Sequence, residues 1–373
     1  MSRNAPLGFY EFFAGGGMAR LGLGEGWSCL YANDFDPVKA TTYRANFADA
    51  DEHFREGDVW QVKPSDLPGR ADLAWASSPC QDFSLAGSRK GLEGGRSSAF
   101  FGFWRLMQAL NAEGRAPRTI VIENVVGLLT SHDGADFTAL CRALADQGYR
   151  FGALEIDAAR FTPQSRPRVF VIATRDADRA RVGRCGFHTR GIEQARARLP
   201  AELRTQWLWW DLPEPPARNT DLAALLDADN EVAWRSEAQT ARLLDQMTPL
   251  NRARLQTDAG RTVGAVYRRT RGGVPQAEVR TDGLAGCLRT ARGGSSRQSI
   301  VVAGNGETRS RLVTPREGAR LMGLPETYCL PAGGTAAFHV LGDGVAVPVV
   351  RWLAAHLLEP LMTGERAGVL AAE

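Results

Sequence analysis

The first third of the chain alternates short apolar runs with helix-like segments of mixed polarity. The runs fall at residues 7–13, 28–32, 73–77, 119–122 and 169–173. Each has strand length, and the stretches between them have helical periodicity. That alternation predicts an α/β domain with a largely parallel sheet. The residues just past each run say more than the runs themselves. They are Gly15-Gly16-Gly17, Asn33-Asp34-Phe35-Asp36, Ser78-Pro79-Cys80-Gln81 and Glu123-Asn124-Val125. Ligands of open α/β sheets bind outside the carboxyl ends of the strands. Four ends carrying glycine, acid, cysteine and acid therefore predict a site.

From about residue 180 this rhythm is lost. Trp207, Trp209 and Trp210 precede a proline-rich connector, Asp211-Leu212-Pro213-Glu214-Pro215-Pro216. These tryptophans are expected to pack rather than to stack on bases. A turn-rich stretch comes next, with Gly272-Gly273 and Gly293-Gly294. Regular structure returns at Thr314-Pro315-Arg316-Glu317, where Thr at the N-cap, Pro at N1 and Glu at N3 predict a capping box. Gly323 and Pro325 end that helix, and a last amphipathic helix is expected over 349–358.

A chain of 373 residues is long enough for two domains. The six cysteines, at 29, 80, 141, 185, 287 and 329, form no CxxC pair, so neither a metal site nor a disulfide framework is expected. No run of eighteen apolar residues and no signal-peptide pattern occur, which predicts a cytoplasmic protein without a membrane span. Charge changes the picture for the turn-rich stretch. Residues 251–311 hold twelve arginines, no lysine and four acids (Asp258, Glu278, Asp282, Glu307), a local net charge of 12 − 4 = +8. Arginine forks suit phosphates and guanine edges, so this stretch reads as a nucleic-acid surface.

The glycine loop after the first run lets backbone approach a nucleotide-like ligand, and Asp34 stands where an acid holds ribose hydroxyls. A dinucleotide-binding dehydrogenase is excluded because neither Gly15-Gly16-Gly17 nor Gly22-Leu23-Gly24 continues into G-x-G-x-x-G. Cys80, just past a strand and flanked by Pro79 and Gln81, is placed as a nucleophile. Glu123 supplies a second acid at the same edge. Gln164-Ser165-Arg166-Pro167-Arg168 adds fixed cations.

At these residues the chain resembles the DNA cytosine-5 methyltransferases. The match runs in order through Phe13-Ala14-Gly15-Gly16-Gly17, Asp34, Gly57-Asp58-Val59, Pro79-Cys80-Gln81-Asp82-Phe83-Ser84, Gly95-Arg96-Ser97-Ser98 and Glu123-Asn124-Val125. It continues with Gln164-Ser165-Arg166-Pro167-Arg168, Thr314-Pro315-Arg316-Glu317 and Gly342-Asp343-Gly344. It covers roughly residues 7–175 and 285–355. The gap between them falls where the family places its target-recognition domain.

The resemblance implies a Rossmann-like S-adenosylmethionine-dependent domain with a smaller, irregular target-recognition domain. Residues 1–180 would be catalytic and cofactor-binding, 181–310 would recognise the target, and 311–373 would return to the catalytic domain. Cys80 would add to C6 of a flipped cytosine, Glu123 would act at N3, Arg168 would bind O2, and Arg166 would support the pocket. Phe13 and Phe35 would flank the adenine of S-adenosyl-L-methionine, Asp34 its ribose, and Asp58 its amino group. Gly15 and Gly17 would pass the methionine part, and Val59, Pro79, Asp343 and Val345 complete the expected cofactor set. No metal is required.

The implied substrate is double-stranded DNA, and the implied state is a monomer, with a cognate restriction endonuclease as a partner that the sequence leaves open. Two departures stand out. Asp343 replaces an asparagine common in the family, and Ala86 replaces a serine that in one relative fills the space left by the flipped base. Two rival readings are a tRNA cytosine-5 methyltransferase and a DNA-binding regulator on a vestigial fold. The long basic gap argues against the first, and intact Cys80, Glu123 and Arg168 against the second.

Overall fold

The computed structural model describes residues 6–78, 99–255, 260–290 and 297–364. The chain divides into two compact units. One comprises 1–156, 167–215 and 349–373, and the other comprises 157–166 and 216–348.

The first unit is built on a seven-stranded sheet in the order β3-β2-β1-β4-β5-β7-β6. Its strands are β1 (Leu7–Phe12), β2 (Trp27–Asp34), β3 (Phe54–Glu56), β4 (Leu73–Ala76), β5 (Thr119–Val125), β6 (Arg150–Asp157) and β7 (Pro167–Thr174). The first five pair in parallel, whereas β7 runs antiparallel to β5. Five of the seven coincide with the apolar runs seen in the sequence. The helices include α1 (Met18–Leu23), α2 (Pro37–Asn46), α3 (Ala50–His53), α4 (Ala99–Ala112), α5 (Ala135–Asp146), α6 (Arg190–Arg198) and α7 (Ala201–Arg204), and the last expected helix forms as a continuous helical run from Val347 to Thr363.

The main core of this unit joins the sheet residues Tyr10, Phe12, Ile120, Ile122 and Val171 to Phe103 and Leu106 of α4 and Phe137 and Leu140 of α5. Each such side chain stabilises the fold by about 1.5–3 kcal/mol through burial, so position and register of the strand ends are fixed by the packing behind them. Trp207 and Trp210 are buried. Trp207 meets Phe137 and Phe151 edge-on, which is the packing role expected of it.

The second unit carries a four-stranded sheet ordered β11-β10-β8-β9. Its strands are β8 (Arg261–Arg271), β9 (Val274–Arg280), β10 (Ser299–Gly304) and β11 (Glu307–Leu312), and the pairings are antiparallel. Val266, Ala277, Val279 and Val301 on one sheet face pack with Leu243 and Met247, which belong to or follow α8 (Glu237–Asp245); α9 (Pro249–Ala253) comes next. The capping box forms as the sequence predicts. Thr314 Oγ1 accepts from the Glu317 N–H at 3.1 Å and Glu317 Oε2 accepts from the Thr314 N–H at 2.8 Å, starting α10 (Pro315–Leu321). Gly323, with φ of +73°, comes just after the end of that helix. α11 spans Gly334–Asp343.

Among the described residues the helical stretch Gly334–Thr363 is long and apolar enough to cross a membrane by length and composition, and 61% of its most apolar window is buried inside the protein. That burial is what a core helix shows.

Candidate active site

The end of β1 is an abrupt turn. Phe13 takes a φ of +59°, unusual for a side chain of its size. Gly15 and Gly17 come next at +58° and +80°. A Cβ at Gly17 would lie 2.2 Å from the Phe47 ring, so only glycine fits there. At Gly15 a Cβ would meet nothing within 4 Å, leaving open space over the loop. The loop is tied to the next strand by Asp34. Its Oδ2 accepts from the Gly15 N–H at 2.8 Å and its Oδ1 from the Asp36 N–H at 2.9 Å. Burial raises the Asp34 carboxyl above its ordinary range, with Lys39 and these two N–H groups pulling the other way.

Phe35, directly after this acid, is 64% exposed. A large bare ring at a strand end is a surface for a flat ligand. Asp58 caps the next turn by accepting from the Trp60 N–H at 3.0 Å. It also lines a cavity of about 350 Å³ with Tyr31, Asn33, Arg55, Gly57 and Gln61. Val59 beside it is buried. Open space over Gly15, a carboxylate fixed by backbone and an exposed ring fit the sugar, base and amino-acid parts of S-adenosylmethionine.

The second group sits at the ends of β4 and β5. Val125 pairs with Arg168 and Glu123 with Phe170 across β5 and β7. Residues two apart share a sheet face, so Glu123 and Arg168 are diagonal neighbours on one face. Arg168 Nε lies 3.1 Å from Glu123 Oε1, and the carboxylate is 8% exposed at its side chain. An antiparallel β7 thus delivers an arginine to the glutamate that a parallel neighbour would have placed at the opposite end. Next to it, Asn124 Nδ2 donates to the Ser78 carbonyl at 3.0 Å, and its Oδ1 accepts from the Val125 N–H at 2.9 Å. This amide fixes the last described residue before Pro79. Pro79, Cys80 and Ala86 lie outside the described residues.

Arg166, Asp343 and Val345 belong to the second unit, whose boundary passes between Arg166 and Pro167. Arg166 is 2% exposed. Its Nη1 donates to the Leu288 carbonyl at 3.0 Å and to Cys287 Sγ at 3.2 Å. Its Nη2 donates to the carbonyls of Gly342 at 2.8 Å and Gly344 at 2.6 Å, bracketing Asp343. Asp343 Oδ2 lies 3.8 Å from His339 Nδ1 one turn earlier, and Val345 is buried.

Two residues escape detection in the sequence. One is Asn124, quoted there only as part of a motif, whose role is legible only once Ser78 is known to lie beside it. The other is Glu11 on β1, which is 1% exposed and, among the described residues, has neither carboxyl oxygen in ordinary hydrogen-bond geometry with a donor. Burial pushes its carboxyl up to about 8, against the attraction of Arg20. The signal was an acid within an apolar run.

Among the other described cysteines, Cys141 is fully buried in α5 and Cys29 is held by burial at about 12. Burial also raises the Cys141 thiol. Thiols held protonated are poor nucleophiles.

A family model described as C-5 cytosine-specific DNA methylase matches residues 7–359. The chain is 27% identical to the type II methyltransferase M.HhaI of Haemophilus parahaemolyticus over 355 residues, 93% of each chain. It is 26% identical to the type II methyltransferase M.BsuFI of Bacillus subtilis, covering 98% of this chain and 75% of that one. The crystal structure of the S. pombe Dnmt2 methyltransferase matches with a TM-score of 0.59 at 18% identity, over 95% of this chain and 99% of that one. That last likeness speaks to the fold.

Proposed function

Because the chain belongs to the C-5 cytosine-specific DNA methylase family, we propose that Cys80, Glu123 and Arg168 carry out its reaction on a cytosine flipped out of duplex DNA. The reaction itself is methylation of DNA cytosine at C5, with S-adenosylmethionine as the cofactor. When bound, S-adenosylmethionine supplies an electrophilic methyl group on a sulfonium centre.

Cytosine is not nucleophilic at C5 until addition across its C5=C6 bond interrupts the aromatic conjugation of the ring. The Cys80 thiolate adds to C6, forming a C–S bond and placing electron density at C5. Glu123 meets that charge by hydrogen bonding or proton transfer at N3, and Arg168 holds O2. Once C5 carries the methyl group, its proton leaves to a base. The C–S bond then breaks, the ring becomes aromatic again, and Cys80 departs as thiolate. Asn124 acts earlier, by holding Ser78 and so the approach to Cys80. Arg166 supports the turn around Asp343 rather than touching the base. Asp34, Phe35, Phe13, Gly15, Gly17, Asp58, Val59 and Pro79 hold the cofactor.

The observation that carries this reading is the buried Glu123–Arg168 pair at 3.1 Å on the strand end next to the Asn124-held Ser78. Residues 181–310 select the DNA word, with 1–180 and 311–373 forming the catalytic part. The protein works as a monomer in the bacterial cytoplasm or nucleoid. A cognate restriction endonuclease reading the same word is the partner that the type II relatives suggest. Conversion sequencing of DNA from cells expressing the protein tests the reading. One recurring word should be methylated at cytosine C5, and cells expressing Cys80→Ser should show none. Unmethylated DNA with soluble wild-type protein would refute it.

A further inference from the structure

In the second unit, β8 and β9 do not end where the sheet ends. β10 pairs with β8 only from Arg261 to Val266. Beyond Val266, β8 pairs with β9 alone, from Tyr267 opposite Glu278 to Arg271 opposite Val274. Among the described residues these two segments form a two-stranded ribbon, about 17 Å long at about 3.4 Å per residue, unpaired on its β8 edge and held on its β9 edge by Ala277, whose N–H donates to the Gln246 carbonyl at 2.9 Å. Gly272 and Gly273 close it with φ of +57° and +81°, the left-handed pair that matches the twist of a tight hairpin. A two-stranded ribbon of this kind fits the DNA major groove, about 12 Å wide.

The register sorts its side chains by face. Val266, Ala277 and Val279 are buried on the face that packs with Leu243 and Met247. Ala277 lies opposite Arg268, so the alternating set Tyr267–Glu278, Arg269–Gln276 and Arg271–Val274 occupies the other face.

Within that set the charges are unequal. Arg271 Nη2 donates to Glu278 Oε1 at 2.6 Å, and Arg280, further down the same face, is bidentate to Asp282. The Tyr267 hydroxyl, then Arg271, hold the Glu278 carboxyl below its ordinary range. Arg269 is different. It is exposed and its guanidinium lies over the Tyr267 ring at 4.9 Å. Directly across from it is Gln276. Among the described residues neither makes an ion pair or a side-chain hydrogen bond. A stacked, stiffened guanidinium beside a carboxamide is a ready pair of base-edge readers. Arginine is bidentate to guanine O6 and N7, and glutamine to adenine N6 and N7.

The geometry points to Arg269, with Gln276 beside it, as the residue that reads a guanine in the target word from the tip of this ribbon. This rests on the DNA-methylating reading above. It adds to it a reader and a base.

The test is selection of bound duplexes from a randomised pool by the full chain, with methylation of the same pool read in parallel. The wild-type protein should enrich a word containing guanine. Arg269→Ala should lose preference for that guanine at least tenfold and keep the rest of the word. Arg269→Lys should lose it as well, since a point charge cannot fork, yet keep its affinity for random DNA. Arg271→Ala should keep the full word. If Arg269→Lys retained the guanine preference, Arg269 would be a phosphate contact and the proposal would fall. An unchanged word for folded Arg269→Ala, or no enriched word for the wild type, would also overturn it. Enrichment of the guanine without methylation would instead uphold the reader and sink the catalytic reading.

Discussion

The strand ends of the first unit and the outer ribbon of the second treat polar side chains in opposite ways. In the first, Glu11, Asp34, Glu123 and Asn124 are all buried at or near the ends of strands. Backbone N–H groups hold Asp34 and Asn124 and Arg168 holds Glu123, whereas among the described residues neither Glu11 carboxyl oxygen has a donor in ordinary hydrogen-bond geometry. In the second, the charged residues of the ribbon at Arg268, Arg269 and Arg271 are exposed. Groups that must meet charge as it develops gain from being fixed and dry before the substrate arrives. Groups that must meet phosphates and base edges gain from being reachable at the surface. On the proposed function this contrast would separate chemistry from recognition within one polypeptide, and variants of each region should fail in different ways.

The largest effects should come from breaking the pair in the first unit. Arg168→Ala and Glu123→Gln should each lower single-turnover methylation by roughly 10²–10³-fold, the size seen when one preorganised charge stabiliser is removed. The methylated word should stay the same. A changed word in either variant would erase the separation of roles.

A smaller effect is expected on the cofactor side. In Asp34→Asn one oxygen becomes an NH2 group facing an N–H donor, so either Gly15 or Asp36 loses its acceptor. Calorimetric affinity for S-adenosylmethionine should weaken about tenfold or more, with duplex binding intact. Unchanged cofactor affinity would remove Asp34 from the site.

Glu11 should affect stability more than turnover. Its folded carboxyl titrates near 8, whereas the ordinary value is 4.5. A raised value means that the folded state binds the proton more tightly. The stabilisation is therefore fully present below about 4.5 and is lost as pH rises toward 8. Glu11→Gln keeps the neutral form at every pH. It should flatten that decline, gaining on the order of 1–3 kcal/mol over the wild type between pH 5.5 and 8.5. Denaturant titrations showing parallel pH profiles would mean that Glu11 is hydrated or paired in solution.

These contrasts also explain what could be read from sequence. Five strands of the first sheet were legible because they are buried on both faces and read as apolar runs, four of them ending in residues with chemistry. β3 and β6 were not: the three residues of β3 include exposed Arg55 and Glu56, and in β6 the charged Arg150, Glu155 and Asp157 and Gly152 break up the apolar run. The second sheet was hidden under its arginines. Tyr267, Arg269 and Arg271 alternate with Val266, Arg268 and Thr270, so both faces of the outer ribbon look polar, and only pairing with β9 makes it a strand. Arg166 read as an active-site cation because of its neighbours in sequence. Its bonds to Leu288, Gly342 and Gly344 depend on contacts more than a hundred residues away, which no local pattern encodes.

The central claim is that Cys80 attacks C6 and must later be expelled as the C5 proton leaves. A duplex carrying 5-fluorocytosine in the target word tests it directly, because fluorine at C5 cannot leave as a proton does. Incubated with the protein and S-adenosylmethionine, that duplex should give a complex that survives denaturing electrophoresis, with the DNA attached to the peptide containing Cys80. Cys80→Ser should give none, and Arg168→Ala should form it slowly. Attachment to a peptide containing Cys141 or Cys185, or a trapped complex from Cys80→Ser, would contradict the account.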